Sequence, residues 1–389
     1  METLYSYQKS LLESTSTDFV RYMYDKIDWD ARMFGLVGPR GIGKTTLFLQ
    51  YIKMHRSTSD TLYVSADNVY FATHTLASFV DEYSKQGGRH LYIDEIHKYG
   101  DWSKELKHIY DNYPDLQVAF TGSSILDINK GTGDLSRRAP IFEMQGLSFR
   151  EYLHIFHHIQ VPVYSLEDIV ANRAQISGVA HPLPLFTDYL KRGYYPFGND
   201  KSFGIELEQV INRTLETDIP QYADMNASTV RKLKRLLGII AKSVPFKPVM
   251  QTIAEIIGVS RNYLADYFLY LERAGMIGQL RDETGGLRGL GKVEKVYIDN
   301  PNLLDVLGRP DADIGNIRET FFYNQMRVNH DVINSRISDF MIGGRTFEIG
   351  GKNKKQKQIR SASEGYVVKD NIEVGFGNVI PLWAFGLNY

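Results

Sequence analysis

A glycine-rich stretch near the start of the chain combines the residue types that bind phosphate groups. Its spacing, from Gly38 to Thr45, is G-x-x-x-x-G-K-[ST]. Glycines permit positive φ angles, so successive backbone N–H groups can face anionic oxygens. The Lys44 ammonium can reach the β and γ phosphates of a nucleotide, and the Thr45 hydroxyl can bind Mg²⁺. The residues predicted to hold the nucleotide are Gly38, Pro39, Arg40, Gly41, Ile42, Gly43, Lys44, Thr45 and Thr46.

The segments on either side of this loop predict how it is positioned. The apolar run Met33–Val37 precedes it and is typical of a short buried strand. Helix-forming residues follow from Thr46, so a helix N-terminus would place its partial positive charge beneath the phosphates. A glycine-rich turn with an ordinary lysine is the alternative, and the strand–loop–helix order argues against it.

A second apolar run, residues 90–93, ends in the acids Asp94 and Glu95. Asp94 at a strand tip can hold Mg²⁺ through water, and Glu95 can orient or deprotonate an attacking water. Taken alone, such a pair is equally typical of a solvated loop. Its separation from the glycine loop suits a β-α-β-α-β arrangement, which favours the functional role. ATP is favoured over GTP because no guanine-reading N/T-K-x-D motif is evident.

A third predicted strand, residues 117–121, ends in hydroxyl side chains. Ligands of parallel sheets lie at the carboxyl ends of the strands, so Thr121 or Ser123 is a candidate contact for the γ-phosphate. A polar turn or a helix cap explains the same residues equally well, and both interpretations stay open.

Composition bounds the class of protein. The 389 residues predict two to four domains. Lys and Arg total 45 against 46 acids, a net charge of −1, which argues against wholesale wrapping around nucleic acid but allows a local basic face. The absence of cysteine excludes disulfides and thiolate zinc sites. Without a signal-peptide pattern or a membrane-length apolar run, we expect a cytoplasmic protein with no membrane partner.

Four stretches together resemble a family of prokaryotic AAA-type P-loop ATPases. They are the glycine loop, YIDEIHKY at 92–99, FTGSS at 120–124 and LSRRAPIFEMQGLSFREYL at 135–153. The resemblance implies an α/β fold that begins with a P-loop AAA-type parallel-sheet ATPase domain at 1–160. It further implies a helical lid at 161–225, a winged helix at 226–300 and a small C-terminal α/β nuclease-like domain of uncharacterised function at 301–389.

The same resemblance implies a role for Arg138. This residue falls on the family's arginine finger, a cation that stabilises charge on the transferred phosphate. Arg137 stands where the family often has glycine, so either arginine is a candidate, and an ordinary surface arginine is the alternative. A finger that acts on a neighbour's nucleotide would require a homo-oligomer.

Residues 226–300 have the pattern of a winged helix. An amphipathic helix at 230–240 and a short helix at 252–258 precede a third helix capped by Ser260, and two strands at 276–280 and 293–298 enclose a glycine-rich turn. Double-stranded DNA is a candidate partner. The residues that would contact it are Arg261, Asn262, Tyr263, Arg273, Arg288 and Lys292. Neighbouring acids weaken the positive field, and a packing role without DNA is the alternative.

Residues 301–389 contain three acids that fall, in the family resemblance, on the recurring acids of a metal-dependent nuclease. Glu319 lies in a predicted helix, and Asp339 and Glu348 lie in two paired strands, where their carboxylates would ligate Mg²⁺. Gly350 stands where the nuclease pattern requires lysine, and Lys352 follows about 7 Å further along the strand. An active nuclease, an inactive relic used for binding and a purely structural domain all stay open.

The sequence as a whole predicts an ATPase that uses ATP and Mg²⁺ and couples hydrolysis to a conformational change of the winged-helix and nuclease-like modules, with DNA as a candidate substrate. The predicted metal ligands are Thr45 and Asp94. The predicted catalytic residues are Lys44, Glu95, Thr121 and Arg138. The alternatives are a nucleotide-switched DNA-binding or regulatory module with little turnover, and an ATP-gated DNA nuclease.

Overall fold

The computed structural model describes residues 1–122, 135, 137–223, 225–243, 245, 247–283, 292–308, 314–354 and 358–389. Ser123 and Arg288, named above as candidate phosphate and DNA contacts, lie outside these residues. The chain divides into two compact units. The first is Met1–Gln145 with Gln221–Ala223, and the second is Gly146–Pro220 with Asp224–Tyr389.

The first unit is built on a five-stranded sheet in the order β2-β3-β4-β1-β5, with every neighbouring pair parallel. Its strands are β1 (Met33–Val37), β2 (Thr61–Ser65), β3 (His90–Asp94), β4 (Gln117–Gly122) and β5 (Ile141–Glu143). Its helices are α1 (Glu2–Ser14), α2 (Lys44–His55), α3 (Leu76–Lys85) and α4 (Trp102–Asn112). The predicted α/β fold with a parallel sheet is confirmed.

Strands β1 to β4 are buried on both faces, as their continuous apolar sequences predict, whereas the edge strand β5 is partly exposed. In β1, Met33 and Val37 belong to one core cluster, while Phe34 lies in an aromatic group on the other face. In that group the rings of Trp29 and Tyr51 stack with centroids 3.8 Å apart. Because β1, β3 and β4 are parallel neighbours, their carboxyl ends lie at one edge of the sheet.

The second unit contains a mixed five-stranded sheet and a separate hairpin. Its helices are α5 (Phe149–His157), α6 (Leu166–Val170), α7 (Leu183–Asp188), α8 (Phe203–Arg213), α9 (Ile219–Ala223, which continues into the first unit), α10 (Ala227–Ser243), α11 (Met250–Ile257), α12 (Arg261–Arg273), α13 (Pro301–Gly308) and α14 (Ile314–Met326). The hairpin is β6 (Ile277–Arg281) and β7 (Val293–Ile298). The sheet is β8 (Ile333–Asn334), β9 (Phe340–Ile342), β10 (Arg345–Gly350), β11 (Gly365–Lys369) and β12 (Val379–Pro381), in the order β12-β11-β10-β9-β8.

A shared hydrophobic core holds the elements of the second unit together. Leu280 and Tyr297 from the hairpin belong to the same cluster as Phe322 and Phe340 of the C-terminal region. Phe149, from the stretch that the sequence analysis assigns to the ATPase domain, lies in this cluster too. The hairpin therefore packs on the C-terminal fold, and the division into lid, winged helix and C-terminal domain stays a proposal within one compact unit.

In the C-terminal region, Asp339 immediately precedes β9, so only Glu348 of the two predicted strand acids lies within a strand. Among the described helices, none combines the length and the apolar character that crossing a membrane requires.

Candidate nucleotide-binding site

The glycine loop connects β1 to α2 through backbone conformations that favour glycine. Gly38, Gly41 and Gly43 have φ angles of 153°, 81° and 97°. At Gly38, an added Cβ would lie 2.2 Å from the carbonyl oxygen of Met144 on the segment after β5, so a side chain is excluded there. The twelve-residue helix α2 begins directly at Lys44. The loop amides and this helix N-terminus form the anion-binding arrangement that the sequence predicts.

Lys44 is held inside the loop that it is predicted to serve. Its side chain is buried, with the residue 5% exposed, and its Nζ donates to the carbonyl oxygens of Gly38 and Pro39, both at 2.8 Å. The Lys44 ammonium group therefore lies among the loop carbonyls. Phosphate oxygens of an incoming nucleotide can replace these two carbonyls as its hydrogen-bond partners.

Arg21 supports the loop from outside and was not predicted from the sequence. This buried residue, 5% exposed, donates from Nη1 to the carbonyl of Ile42 and from Nη2 to the carbonyl of Gln145 at 2.7 Å. It therefore ties the glycine loop to the segment that follows β5. It precedes the motif by 17 residues, and no local pattern in the sequence indicates this contact.

Asp94 lies at the tip of β3 and accepts hydrogen bonds from three hydroxyl groups. Thr45 donates to Oδ2 at 2.6 Å, Tyr63 donates to the same oxygen at 2.8 Å, and Thr121 donates to Oδ1. Burial, and then the charge of Asp94, raises the pKa of Tyr63 well above its ordinary value, so Tyr63 stays a donor. Tyr63, the middle residue of β2, was not predicted.

The donor set around Asp94 fits Mg²⁺. A hydroxyl and a carboxylate side by side are hard oxygen ligands, which Mg²⁺ prefers, and Mg²⁺ commonly takes its remaining ligands from phosphate and water. Thr45 and Asp94, the two metal ligands that the sequence predicts, are the residues that would hold it. The described residues contain no group of three or more His, Asp or Glu side chains arranged for a metal.

Glu95 follows Asp94 in a left-handed conformation, with φ of 51°. This conformation is uncommon for a residue with a side chain. Its N–H donates to Thr121 Oγ1 at 3.1 Å. Its carboxylate Oε2 lies 3.5 Å from Arg40 Nη2 and 3.4 Å from His97 Nε2. The acid is therefore positioned by backbone strain, by Thr121 and by a cation of the glycine loop.

Arg138 contacts helix α4, unlike the residues described above. It forms a two-point ion pair with Asp111 of α4, with its Nε and Nη2 at 3.0 and 3.2 Å from the two carboxylate oxygens. Its guanidinium also lies 5.8 Å from the ring centroid of Tyr110. Arg137, the other candidate finger, is exposed. The structure thus brings together Lys44, Thr45, Asp94, Glu95 and Thr121, and leaves Arg138 paired with Asp111 of α4.

The three acids of the second unit each contact a lysine. Lys295 of β7 lies 3.4 Å from Glu319 and 3.3 Å from Asp339, and Lys354 pairs with Glu348. Burial, and then the charge of Asp339, raises the pKa of Glu319, while Lys295 acts in the opposite direction. Lys352, predicted from its spacing, is exposed and has its carbonyl contacted by Lys369.

The lysine at Glu348 comes from further along the chain than the sequence predicts. An added Cβ at Gly350 would lie 2.6 Å from Cγ and Cδ of Lys354, so this side chain fills the space beside Gly350. The turn after β10 brings Lys354 back beside the strand, a contact that strand spacing alone does not indicate.

The first unit, with its parallel sheet, glycine loop and hydroxyl–carboxylate pair, has the architecture of a P-loop nucleotide-binding domain. Residues 30–153 match the family model of an AAA domain. Residues 183–312 match a domain of unknown function, DUF8612. No curated protein matches the chain.

Solved structures also match the chain, among them the following three. A Walker-type ATPase of Pyrococcus abyssi is 13% identical with a TM-score of 0.44, over 72% of this chain and 91% of that chain. The Hsp104–ADP complex of S. cerevisiae is 16% identical with a TM-score of 0.29, over 69% and 39% of the two chains. PCH-2 of C. elegans is 13% identical with a TM-score of 0.26, over 70% and 67%.

Proposed function

We propose that the chain is a Mg²⁺-dependent ATPase that hydrolyses ATP to ADP and phosphate. The observation that supports this most directly is the convergence of Lys44, Thr45 and Asp94 at the carboxyl edge of the parallel sheet, beside the glycine-loop amides. The match of residues 30–153 to an AAA domain supports ATP as the nucleotide.

Each residue of the site has a distinct role in this proposal. Thr45 and Asp94 hold Mg²⁺, which when bound neutralises part of the phosphate charge. Lys44 exchanges its two carbonyl partners for β and γ phosphate oxygens. Glu95 orients the attacking water and accepts its proton, while the water oxygen bonds to the γ-phosphorus and the bond to the leaving ADP oxygen breaks.

Thr121 acts as a positioning residue for both acids. Its hydroxyl donates to Asp94 and accepts from the backbone N–H of Glu95. One side chain at the tip of β4 thereby fixes the metal ligand and the acid that follows it. We expect Thr121→Val to lower kcat more than it raises KM, whereas Thr121→Ser largely restores the rate.

The proposal is tested by phosphate release from ATP in the presence of Mg²⁺. We expect Lys44→Ala to abolish turnover, because no other ammonium lies within the loop among the described residues. Lys53→Ala is the matched control, since Lys53 lies on the same helix and its Nζ donates to the carbonyl of Thr15. Undiminished turnover by Lys44→Ala contradicts the assignment.

We propose Arg138 as an arginine finger that acts between chains. To do so it must exchange Asp111 for a phosphate, so turnover should rise with protein concentration and fall in Arg138→Ala. The matched control is Arg137→Ala. A rate per chain that is independent of concentration, together with full activity of Arg138→Ala, rejects this role.

For the second unit we propose that it binds DNA and that DNA binding is coupled to ATP hydrolysis. At the start of α12, Arg261, Asn262 and Tyr263 are exposed, and Tyr263 has 64% of its surface accessible although it is a large aromatic residue. Such a group suits phosphate and base contacts. We expect duplex DNA to stimulate hydrolysis in a salt-sensitive manner, and Arg261→Ala to reduce that stimulation.

A nucleotide-switched DNA-binding module with little turnover is the alternative that the same exposed residues support. It predicts that ATP changes the affinity for duplex DNA while phosphate release stays slow with and without DNA. Phosphate release by the wild type with and without duplex DNA separates the two, because DNA binding belongs to both proposals and DNA-stimulated turnover belongs only to the first.

A further inference from the structure

Glu319, Asp339 and Lys295 meet at one point although they come from three different elements. Lys295 projects from the hairpin strand β7, Glu319 from α14, and Asp339 from the turn before β9. The Lys295 Nζ lies 3.4 Å from Glu319 Oε2 and 3.3 Å from Asp339 Oδ1. It also lies 5.9 Å from the ring centroid of Phe340. One ammonium group thus contacts two of the three acids that the nuclease resemblance presents as a metal site.

Other donors contact the three carboxylates as well. Glu319 Oε2 accepts a second hydrogen bond, from Tyr297 at 2.8 Å, and Asp339 Oδ2 accepts from the backbone N–H of Ile349 at 2.8 Å. The third acid, Glu348, is bound to Ser338 and to Lys354. The acids are arranged around ammonium, hydroxyl and amide donors.

These residues do not fit Mg²⁺. The ion requires oxygen ligands at about 2.0–2.1 Å in nearly octahedral geometry. A divalent cation between Glu319 and Asp339 would have to displace the Lys295 ammonium from the same two oxygens, because like charges repel at this separation.

We propose that the Lys295 ammonium is the resident cation of this pocket and takes the place of a divalent metal. It neutralises the two acids and links the hairpin to α14 and to the C-terminal sheet. Tyr297, two residues along β7, adds a hydrogen bond to Glu319 from the same strand and packs in the shared core. Lys295, Glu319 and Asp339 therefore form an ion-pair cluster that stabilises the second unit without a metal. Since no metal is held there, the chain does not cut DNA at this cluster.

The test measures Mn²⁺ binding to the full chain, in the absence of nucleotide, by electron paramagnetic resonance. We expect the wild type to show no Mn²⁺ that depends on these acids. Lys295→Ala removes the ammonium and should gain one equivalent of bound Mn²⁺ together with a rise in Tm on Mn²⁺ addition. The gained site should disappear in Lys295→Ala combined with Glu319→Gln. Lys292→Ala is the control, because Lys292 is an exposed lysine near β7 that pairs with Glu294.

Two results overturn the proposal. The first is a Mn²⁺ site in the wild type that Glu319→Gln removes, because the ammonium then does not exclude the metal. The second is the absence of any gain in a folded Lys295→Ala. If Lys295→Ala does not fold without metal, both Lys295→Ala and Lys295→Met are refolded in the presence of Mn²⁺. Lys295→Met keeps the apolar stem of the side chain. Recovery of the folded state by Mn²⁺ supports the proposal, and no recovery in either variant contradicts it.

Discussion

Glu95→Gln separates nucleotide binding from hydrolysis more cleanly than other changes at the site. Glutamine keeps the length of the side chain and one carbonyl oxygen but cannot accept a proton from water. The backbone N–H of residue 95 still donates to Thr121, and Arg40 and His97 keep an acceptor where the Glu95 Oε2 now lies 3.5 and 3.4 Å away. The change therefore removes the base and preserves the local frame.

The catalytic loss should far exceed the loss of stability. A positioned general base contributes roughly 10²–10⁴ in rate. That range corresponds to about 3–5 kcal/mol of activation free energy. The ion pair with Arg40 is partly exposed, with side-chain exposures of 17% and 21%, and weakening it should cost at most about 1 kcal/mol of unfolding free energy. A loss of that size lowers Tm by about 2–4 °C in a unit of this size.

The assay combines phosphate release, ATP binding and thermal unfolding on the same preparation. We expect kcat to fall about 10²-fold or more, with little change in ATP affinity. Glu82→Gln, an exposed acid on α3 that accepts from Gln86, serves as the control and should retain the wild-type rate. Wild-type turnover by Glu95→Gln refutes Glu95 as the base, and loss of ATP binding shows instead that the acid acts in binding.

Three further changes test the packing around the site and in the second unit. Tyr63→Phe removes a hydrogen bond to the Asp94 carboxylate and should lower the free energy of unfolding by about 1.5–3 kcal/mol, measured by urea titration. Gly38→Ala forces a side chain into a φ of 153° and should cost about 1–3 kcal/mol and weaken ATP binding, whereas Gly100→Ala, at an open position, should do neither. Phe321→Ala empties a fully buried site in the second unit and should cost about 3–5 kcal/mol, and an unchanged denaturation midpoint would contradict this core assignment.

The glycine loop and the acids that follow β3 could be predicted because their signals are local. The G-x-x-x-x-G-K-T spacing specifies both the backbone and the ligand, and Asp94 and Thr121 terminate apolar strands. Parallel strand order then places those termini at one edge, so the meeting of Thr45, Asp94 and Thr121 follows from the fold class.

The residues that the sequence did not indicate act over long separations along the chain. Arg21 reaches Gln145 across 124 positions, and Tyr63 reaches Asp94 across 31. Neither contact has a periodic or motif signal, because it depends on how distant segments pack. These residues could be found only from the three-dimensional arrangement.

For the C-terminal acids, the sequence pattern does not predict the contacts that the structure shows. Their spacing indicates a metal site, but in the structure lysine side chains contact the three carboxylates. These lysines come from β7 and from beyond Gly350. Lys295 lies in a hairpin that the sequence assigns to a different module, and Lys354 lies two positions past Lys352. Acid spacing alone could not indicate either cation.

The proposed function requires that the glycine loop and Lys44 bind a triphosphate beside Asp94. Isothermal titration calorimetry of the nucleotide-free chain with ATP and Mg²⁺ tests it most directly. We expect one ATP to bind per chain, with affinity reduced about 10–100-fold in Lys44→Ala, because each charge-assisted hydrogen bond contributes about 1.5–3 kcal/mol. Absence of binding by the wild type, or equal affinity of the two proteins, would contradict it.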